Sequence, residues 1–389
     1  MTCVEKTKLG FEWTLETFIE KINAQIRKGL DEISRTAPGT DHPFIRRIYD
    51  QVYEYLENGG KRMHGVSLLL SYRVAGGCDE NEILPVAAAF QLYHHHTLIH
   101  DDIYDEDLKR RGASTAHHAF SEYFFQSNGN GIESKKPGGK AVFASPSHRK
   151  GVMAGFAMGK IVHAIALEWI AGAAIPAAKA MEILKRINLH DLSDNAAQLK
   201  DVYHEGKHIP SPHESLEIAH AKTGLLFEAG VECACLLAGC GPALAQGLKD
   251  WISYTAQAYQ LQDDLEDFAA DSEKGKGRGI GTDLRTRKPT FILASAIERA
   301  SDEERSIIET WLCDPASETS TAQIMRIIQN TRALDICQRK IMELIEKGAG
   351  ALEIEGANIS RKDREELVDF SKYYVSDRYW KRSLPQPVS

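Results

Sequence analysis

The stretch ILPVAAAFQLYHHHTLIHDDIYDEDLKRRG, residues 83–112, decides the fold. Its first half, Leu84 to His100, is apolar nearly all round, which predicts a central, buried helix. Its second half places five carboxylates within seven residues (Asp101, Asp102, Asp105, Glu106, Asp107) and follows them with Arg110 and Arg111. Asp101 and Asp105 are four apart and share a helix face, where like charges repel by a few tenths of a kcal/mol. A solvated helix end is the plain explanation for one such cluster. YQLQDDLEDF, residues 259–268, repeats the arrangement with Asp263, Asp264 and Asp267 behind another apolar helix. Two DDxxD clusters, each late in an apolar helix, suit Mg²⁺, which takes one or two carboxylates and completes its shell with water and phosphate oxygens.

Working outward, the dominant period is helical. Phe18, Ile19, Ile22 and Ile26 recur at helical spacing, as do Ile45, Ile48, Val52 and Leu56. Gly151 to Gly172, Glu217 to Gly239 and Lys249 to Phe268 read as further core helices, the last with Trp251, Tyr254, Ala258, Leu261, Leu265 and Phe268 on one stripe. No run of alternating strand residues stands out. Residues 126–149, QSNGNGIESKKPGGKAVFASPSHR, read as a long loop insertion, either a lid or a surface loop. The expectation is a single all-α domain over residues 1–389.

The bulk composition fits this reading. A length of 389 residues with 43% hydrophobic and 26% charged content is that of a globular protein. The formal charge of −8 gives no reason to expect nucleic acid as a partner. Cys3, Cys78, Cys233, Cys235, Cys240, Cys313 and Cys337 lack CxxC spacing, which argues against zinc or a disulfide framework and suits a reducing compartment. No signal-type apolar run opens the sequence, and no segment approaches ~20 uncharged apolar residues. A cytoplasmic protein without a transmembrane segment is expected.

Cationic partners accompany the acids. Lys61 and Arg62 follow Gly59-Gly60, Lys222-Thr223 lies mid-chain, and Lys276 and Lys288 follow the second cluster. Arg forks and Lys point charges beside metal-binding carboxylates are what a diphosphate requires. The histidines His94, His95, His96 and His100 do not make a zinc site, because consecutive helical side chains point in different directions.

With these motifs in hand, the sequence resembles the trans-prenyltransferases of the polyprenyl synthetase family. The resemblance rests on GGKR (59–62), DDIYD with RRG (101–105, 110–112), QLKD (198–201), KTG (222–224), YQLQDDLED (259–267) and GTDLRTRKPT (281–290), in that order. It implies an isoprenoid synthase-type bundle of antiparallel helices around a deep central cavity, with the two aspartate motifs facing each other, three Mg²⁺ ions and a homodimer. It implies that Asp101, Asp105 and Asp263 are the principal metal ligands, supported by Asp102, Asp264 and Asp267. Arg110, Lys222, Thr223, Gln260, Lys276 and Lys288 would hold the allylic diphosphate. Lys61, His94 and Arg111, with His64, would hold isopentenyl diphosphate. Lys222, Thr223 and Gln260 would steady positive charge at the reacting carbon. The implied activity is condensation of isopentenyl diphosphate with an allylic diphosphate by ionisation, condensation and elimination.

Three features depart from the family pattern. His64 stands where the family usually has arginine, and an imidazole, largely neutral at pH 7, lacks the bidentate grip. Ala154-Gly155-Phe156 replaces AGD, which points to altered packing. The third is the insertion at residues 126–149. Chain length should be governed by Tyr93, His96 and Thr97, with Tyr93 as the floor and geranylgeranyl diphosphate (C20) or farnesyl diphosphate (C15) as product. The competing readings are a class I terpene cyclase on the same scaffold and a regulatory subunit of a heteromeric synthase. The paired intact aspartate motifs, with Lys61, Arg111 and His94, favour elongation.

Overall fold

The computed structural model describes residues 11–57, 59–127, 143–204, 210–268, 284, 287–288, 290–314, 317–354 and 359–375. In chain order the helices are α1 (Phe11–Thr36), α2 (Pro43–Glu57), α3 (Met63–Val74), α4 (Glu80–Tyr104), α5 (Ala116–Ser127), α6 (Pro146–Ala171), α7 (Ala177–His204), α8 (Pro212–Ala219), α9 (Leu225–Ala238), α10 (Pro242–Glu266), α11 (Phe291–Arg299), α12 (Asp302–Cys313), α13 (Thr321–Asn330), α14 (Ala333–Ala351) and α15 (Arg361–Tyr374). The fold is all-α; among the described residues the strands are a hairpin of two-residue elements, β1 (Lys109–Arg110) and β2 (Ala113–Ser114), between α4 and α5. The chain forms two compact units, one of residues 11–69 and 79–184, the other of residues 70–78, 185–268 and 284–375 as far as these are described.

In the first unit α4 is the core element. Asp79 caps it by accepting from the Asn81 N–H, and Ile83, Val86 to Leu92, Tyr93 and Ile99 are buried. α4 packs against α1 and α6, and α6 also packs against α5. Glycines permit the close approaches: a Cβ at Gly151 or Gly155 of α6 would meet α5 backbone or side-chain atoms at 3.0 Å or less. By length and composition α6 could cross a membrane, but half of that apolar window is buried inside its unit. It is a packed helix with the small-residue composition that packing demands. The loop expected at residues 126–149 is helical at both of its ends. Residues 126–127 complete α5, and Ser145 caps α6 with Pro146 at its first position, so the helix starts before the glycine-rich stretch would imply. Residues 128–142 lie outside the described residues.

The second unit is built on α10 and α14. Ala258, Leu261 and Leu265 of α10 enter a core with Ile292, Trp311, Ile328, Cys337 and Ile341. Trp251 Nε1 donates to Ser371 Oγ at 2.9 Å, tying α15 to α10. One expectation needs correcting here. Glu217 to Gly239 is not one α-helix but α8, a π turn over His220–Gly224, and α9.

Candidate active site

In the first unit the chemistry lies where α4 ends. Asp105 closes the helix, its N–H bonding to the Asp101 carbonyl at 2.8 Å, and both side chains are partly exposed. Asp102, between them in the chain, is fully buried. Its Oδ1 accepts from Arg110 Nε at 2.6 Å and its Oδ2 from Tyr55 Oη at 3.0 Å. Both oxygens of Asp102 are thus engaged, whereas Asp101 and Asp105 stand at the water-accessible edge. Asp102 therefore anchors Arg110.

The RRG that follows is the hairpin turn. Arg111 and Gly112 both have positive φ (52° and 82°) between the pairs Arg110↔Ala113 and Lys109↔Ser114, the signature of a type I′ turn. Asparagine usually takes the first of these positions; an arginine there costs about 1 kcal/mol or more of backbone strain. The turn sends Arg111 Nη1 to the Gly59 carbonyl at 2.8 Å.

That carbonyl belongs to the glycine loop ahead of α3. Gly60 has φ +120°, and a Cβ there would sit 2.6 Å from Arg111 Nη1. Arg62 lies beneath, buried, donating to Asn23 Oδ1 (2.7 Å), the Gly59 carbonyl (3.0 Å) and the Leu56 carbonyl (2.5 Å). Burial and the neighbouring guanidinium of Arg111 lower its pKa to about 10, so it keeps its charge at neutral pH. His95 donates from Nδ1 to the Gln91 carbonyl at 2.6 Å, which leaves Nε2 to accept from Arg62 at 3.4 Å. Burial and adjacent cations push His94 and His95 well below the ordinary histidine range, so both are neutral at pH 7. His64, where arginine was expected, is buried with its ring 4.2 Å from that of His94. Lys61 is partly exposed in the same loop. Arg111 thus joins the glycine loop that carries Lys61, and the rings of His64 and His94 pack on each other.

One turn further up α4, Thr97 Oγ1 donates to the His94 carbonyl at 2.9 Å. Tyr93 is fully buried, with the rings of His96 and His163 each 5.4 Å away. Phe156, the departure from AGD, stacks on His100 at 4.8 Å with an interplanar angle of 7°, and His100 Nε2 donates to the Phe156 carbonyl at 3.2 Å. Phe156 thus joins α6 to α4 at this point.

In the second unit the π turn carries Lys222 and Thr223. Thr223 Oγ1 donates to Gln260 Oε1 at 2.9 Å, and Gln260 Nε2 donates to Asp264 Oδ1 at 3.1 Å. This relay fixes the Gln260 amide and one oxygen of the second aspartate motif. Asp263 is partly exposed and Asp267, which ends α10, is buried. Lys288 is partly buried in the turn before α11, where its carbonyl accepts from the Thr290 N–H at 2.9 Å. Lys276 lies outside the described residues. Sequence reasoning missed Tyr55, although its phenol and Arg110 share Asp102. A tyrosine in an amphipathic helix carries no signal of a partner 47 residues away.

An all-α scaffold with a carboxylate-rich helix end beside a basic glycine loop defines a diphosphate-handling enzyme class. The polyprenyl synthetase family model matches residues 46–330, and the chain belongs to that family. It is 26% identical over 336 residues to the octaprenyl diphosphate synthase of Escherichia coli (strain K12), covering 86% of this chain and 93% of that one. It is 26% identical over 324 residues to the geranylgeranyl pyrophosphate synthase of Geoglobus acetivorans, covering 83% and 89%. The geranylgeranyl pyrophosphate synthase of Corynebacterium glutamicum, solved with isoprenyl diphosphate and magnesium, superposes with a TM-score of 0.81 at 23% identity, covering 94% of this chain and 99% of that one.

Proposed function

We propose that this prenyltransferase joins isopentenyl diphosphate to an allylic diphosphate, with geranylgeranyl diphosphate as the main product. The observation that carries the reading is the bond from Arg111 to the Gly59 carbonyl, which joins the loop of Lys61 to a carboxylate motif whose Asp102 holds Arg110; the packed rings of His64 and His94 belong to the same proposal. An anion site next to a metal-type acid cluster is what a second diphosphate needs, and a cyclase has no use for it. The donor set fits Mg²⁺, since Asp101, Asp105, Asp263 and Asp267 offer hard oxygens and no competing thiolate lies in either motif. When bound, three Mg²⁺ ions would neutralise the allylic diphosphate and make it a better leaving group.

The protein's own residues do the rest. Arg110, oriented by Asp102 and Tyr55, holds the departing diphosphate with Lys222 and Lys288, and Lys276 belongs to the same proposal. Thr223 and Gln260 present oxygens toward the developing allylic cation. His94 is neutral and so donates a hydrogen bond to isopentenyl diphosphate without a competing titration at pH 7. Tyr93 is the floor for the growing tail, beyond His96 and Thr97. The proposal includes a homodimer, which light scattering would measure.

The test incubates the purified chain with Mg²⁺, radiolabelled isopentenyl diphosphate and, separately, C5, C10 and C15 allylic diphosphates, then sizes the dephosphorylated products. A labelled C20 alcohol is expected. Unlabelled hydrocarbon from the allylic substrate alone would replace this reading with cyclisation.

A further inference from the structure

We propose that His220, reaching across Gly224 to Glu228, is a positioning residue that holds the π turn open and thereby aims Lys222 and Thr223. The inference rests on the prenyl-transfer reading above. A π turn is rare inside helical structure and concentrates at functional sites, so something must hold it against relaxation to α. Here that element is visible. A Cβ on Gly224 would lie 2.6 Å from His220 Cδ2, so the imidazole occupies the space that this glycine leaves. Its Nε2 meets Glu228 Oε1 at 2.5 Å, bracing the turn from its first residue to the first full turn of α9. Glu228 is buried and fixed from its other side: Lys249 Nζ lies 3.5 Å from Oε2, then 2.8 Å from Glu232, which accepts from Arg186 at 2.7 Å. Hydrogen bonds from His220 and Ser253 outweigh burial and hold the Glu228 carboxyl below its ordinary range.

The consequence falls on the relay. Removing the one-residue widening would rotate Lys222 and Thr223 about 100° relative to α9. Thr223 would then leave Gln260, and Gln260 would lose the orientation that aims its amide at Asp264.

The test compares His220→Ala, His220→Gln and Gly224→Ala in the full chain. It uses the prenyl-transfer assay and titration calorimetry of inorganic pyrophosphate with Mg²⁺. His220→Ala and Gly224→Ala should lower kcat about 10-fold or more, with KM for isopentenyl diphosphate changed less than about twofold, because that substrate's groups lie elsewhere. Pyrophosphate binding should weaken about fivefold as Lys222 shifts. His220→Gln, which can still donate to Glu228, should recover most of both. Unchanged kcat and pyrophosphate affinity in His220→Ala would overturn the clamp, as would equal impairment of His220→Gln. If the parent chain incorporates no label, the elongation reading fails instead, and the calorimetric arm alone decides the clamp.

Discussion

Asp101 and Asp102 are chain neighbours with the same side chain and opposite surroundings, and substitution should separate them. Asp102 is fully buried with Arg110 and Tyr55 on its two oxygens, so Asp102→Asn removes a charge from a buried pair and should destabilise the protein by about 3 kcal/mol. Asp101→Asn touches a partly exposed group and should change stability by no more than about 0.5 kcal/mol while lowering kcat by about 10³-fold. Chemical denaturation alongside steady-state kinetics checks both; equal stability losses would remove the distinction. His95 supplies a second test at this scale. Its folded pKa is depressed by burial and by Arg62, so protonation favours the unfolded chain. Its contribution is fully present above the unfolded pKa of about 6.5 and is lost progressively as pH falls below it. His95→Gln should flatten the fall of stability between about pH 6.5 and 5 in chemical denaturation; an unchanged slope would remove His95 from that account. The aspartates were legible in the sequence as a motif, but the division of labour among them was not. Spacing reports a shared helix face, whereas burial of Asp102 depends on Tyr55 from another helix.

At the scale of elements, α4 and α10 were readable because continuous apolar periods ending in acids admit few other structures. The hairpin and the π turn were not. A type I′ turn announces itself through Asn-Gly or Asp-Gly, and here Arg111 takes the first position. The π turn is hidden because apolar residues continue on both sides of it, through Ala219, Leu226 and Phe227. Arg111 at φ 52° stores strain in the residue proposed to bind isopentenyl diphosphate. Arg111→Asn should therefore stabilise the chain by about 1 kcal/mol while raising KM for isopentenyl diphosphate about 10-fold or more. Calorimetric melting and saturation kinetics would measure the two effects, and a variant both less stable and unimpaired would refute the strained-anchor account. On α4, Tyr93→Ala opens space next to His96 and His163, and the product should lengthen by one or more C5 units; an unchanged product would place the floor elsewhere.

Across the whole molecule, the arrangement proposed here implies a dependence between ligands that no single residue shows. Each aspartate motif, Asp101 with Asp105 and Asp263 with Asp264 and Asp267, concentrates negative charge, and the chain as a whole carries −8. A diphosphate approaching these acids without metal is repelled, and Mg²⁺ without diphosphate keeps most of its water shell, since carboxylates alone complete it poorly. Each ligand alone should therefore bind weakly. Together each supplies the other's missing partner, while Arg110, Lys222 and Lys288 take the remaining phosphate oxygens. Saturation at 100 times Kd stabilises a native state by about 2.7 kcal/mol, which in a chain of this size raises the melting temperature by a few degrees at most. Scanning calorimetry should show that rise with Mg²⁺ and pyrophosphate together and a far smaller one with either alone. Chelation of the metal should reverse it without lowering the melting temperature of the ligand-free protein. Asp105→Asn should abolish the joint effect and leave the ligand-free melting temperature equal or slightly higher, because it removes like-charge repulsion from Asp101. An additive response, in which the shift with both ligands equals the sum of the two separate shifts, would mean that metal and diphosphate bind at independent places and that the carboxylate motifs do not act through a shared ligand.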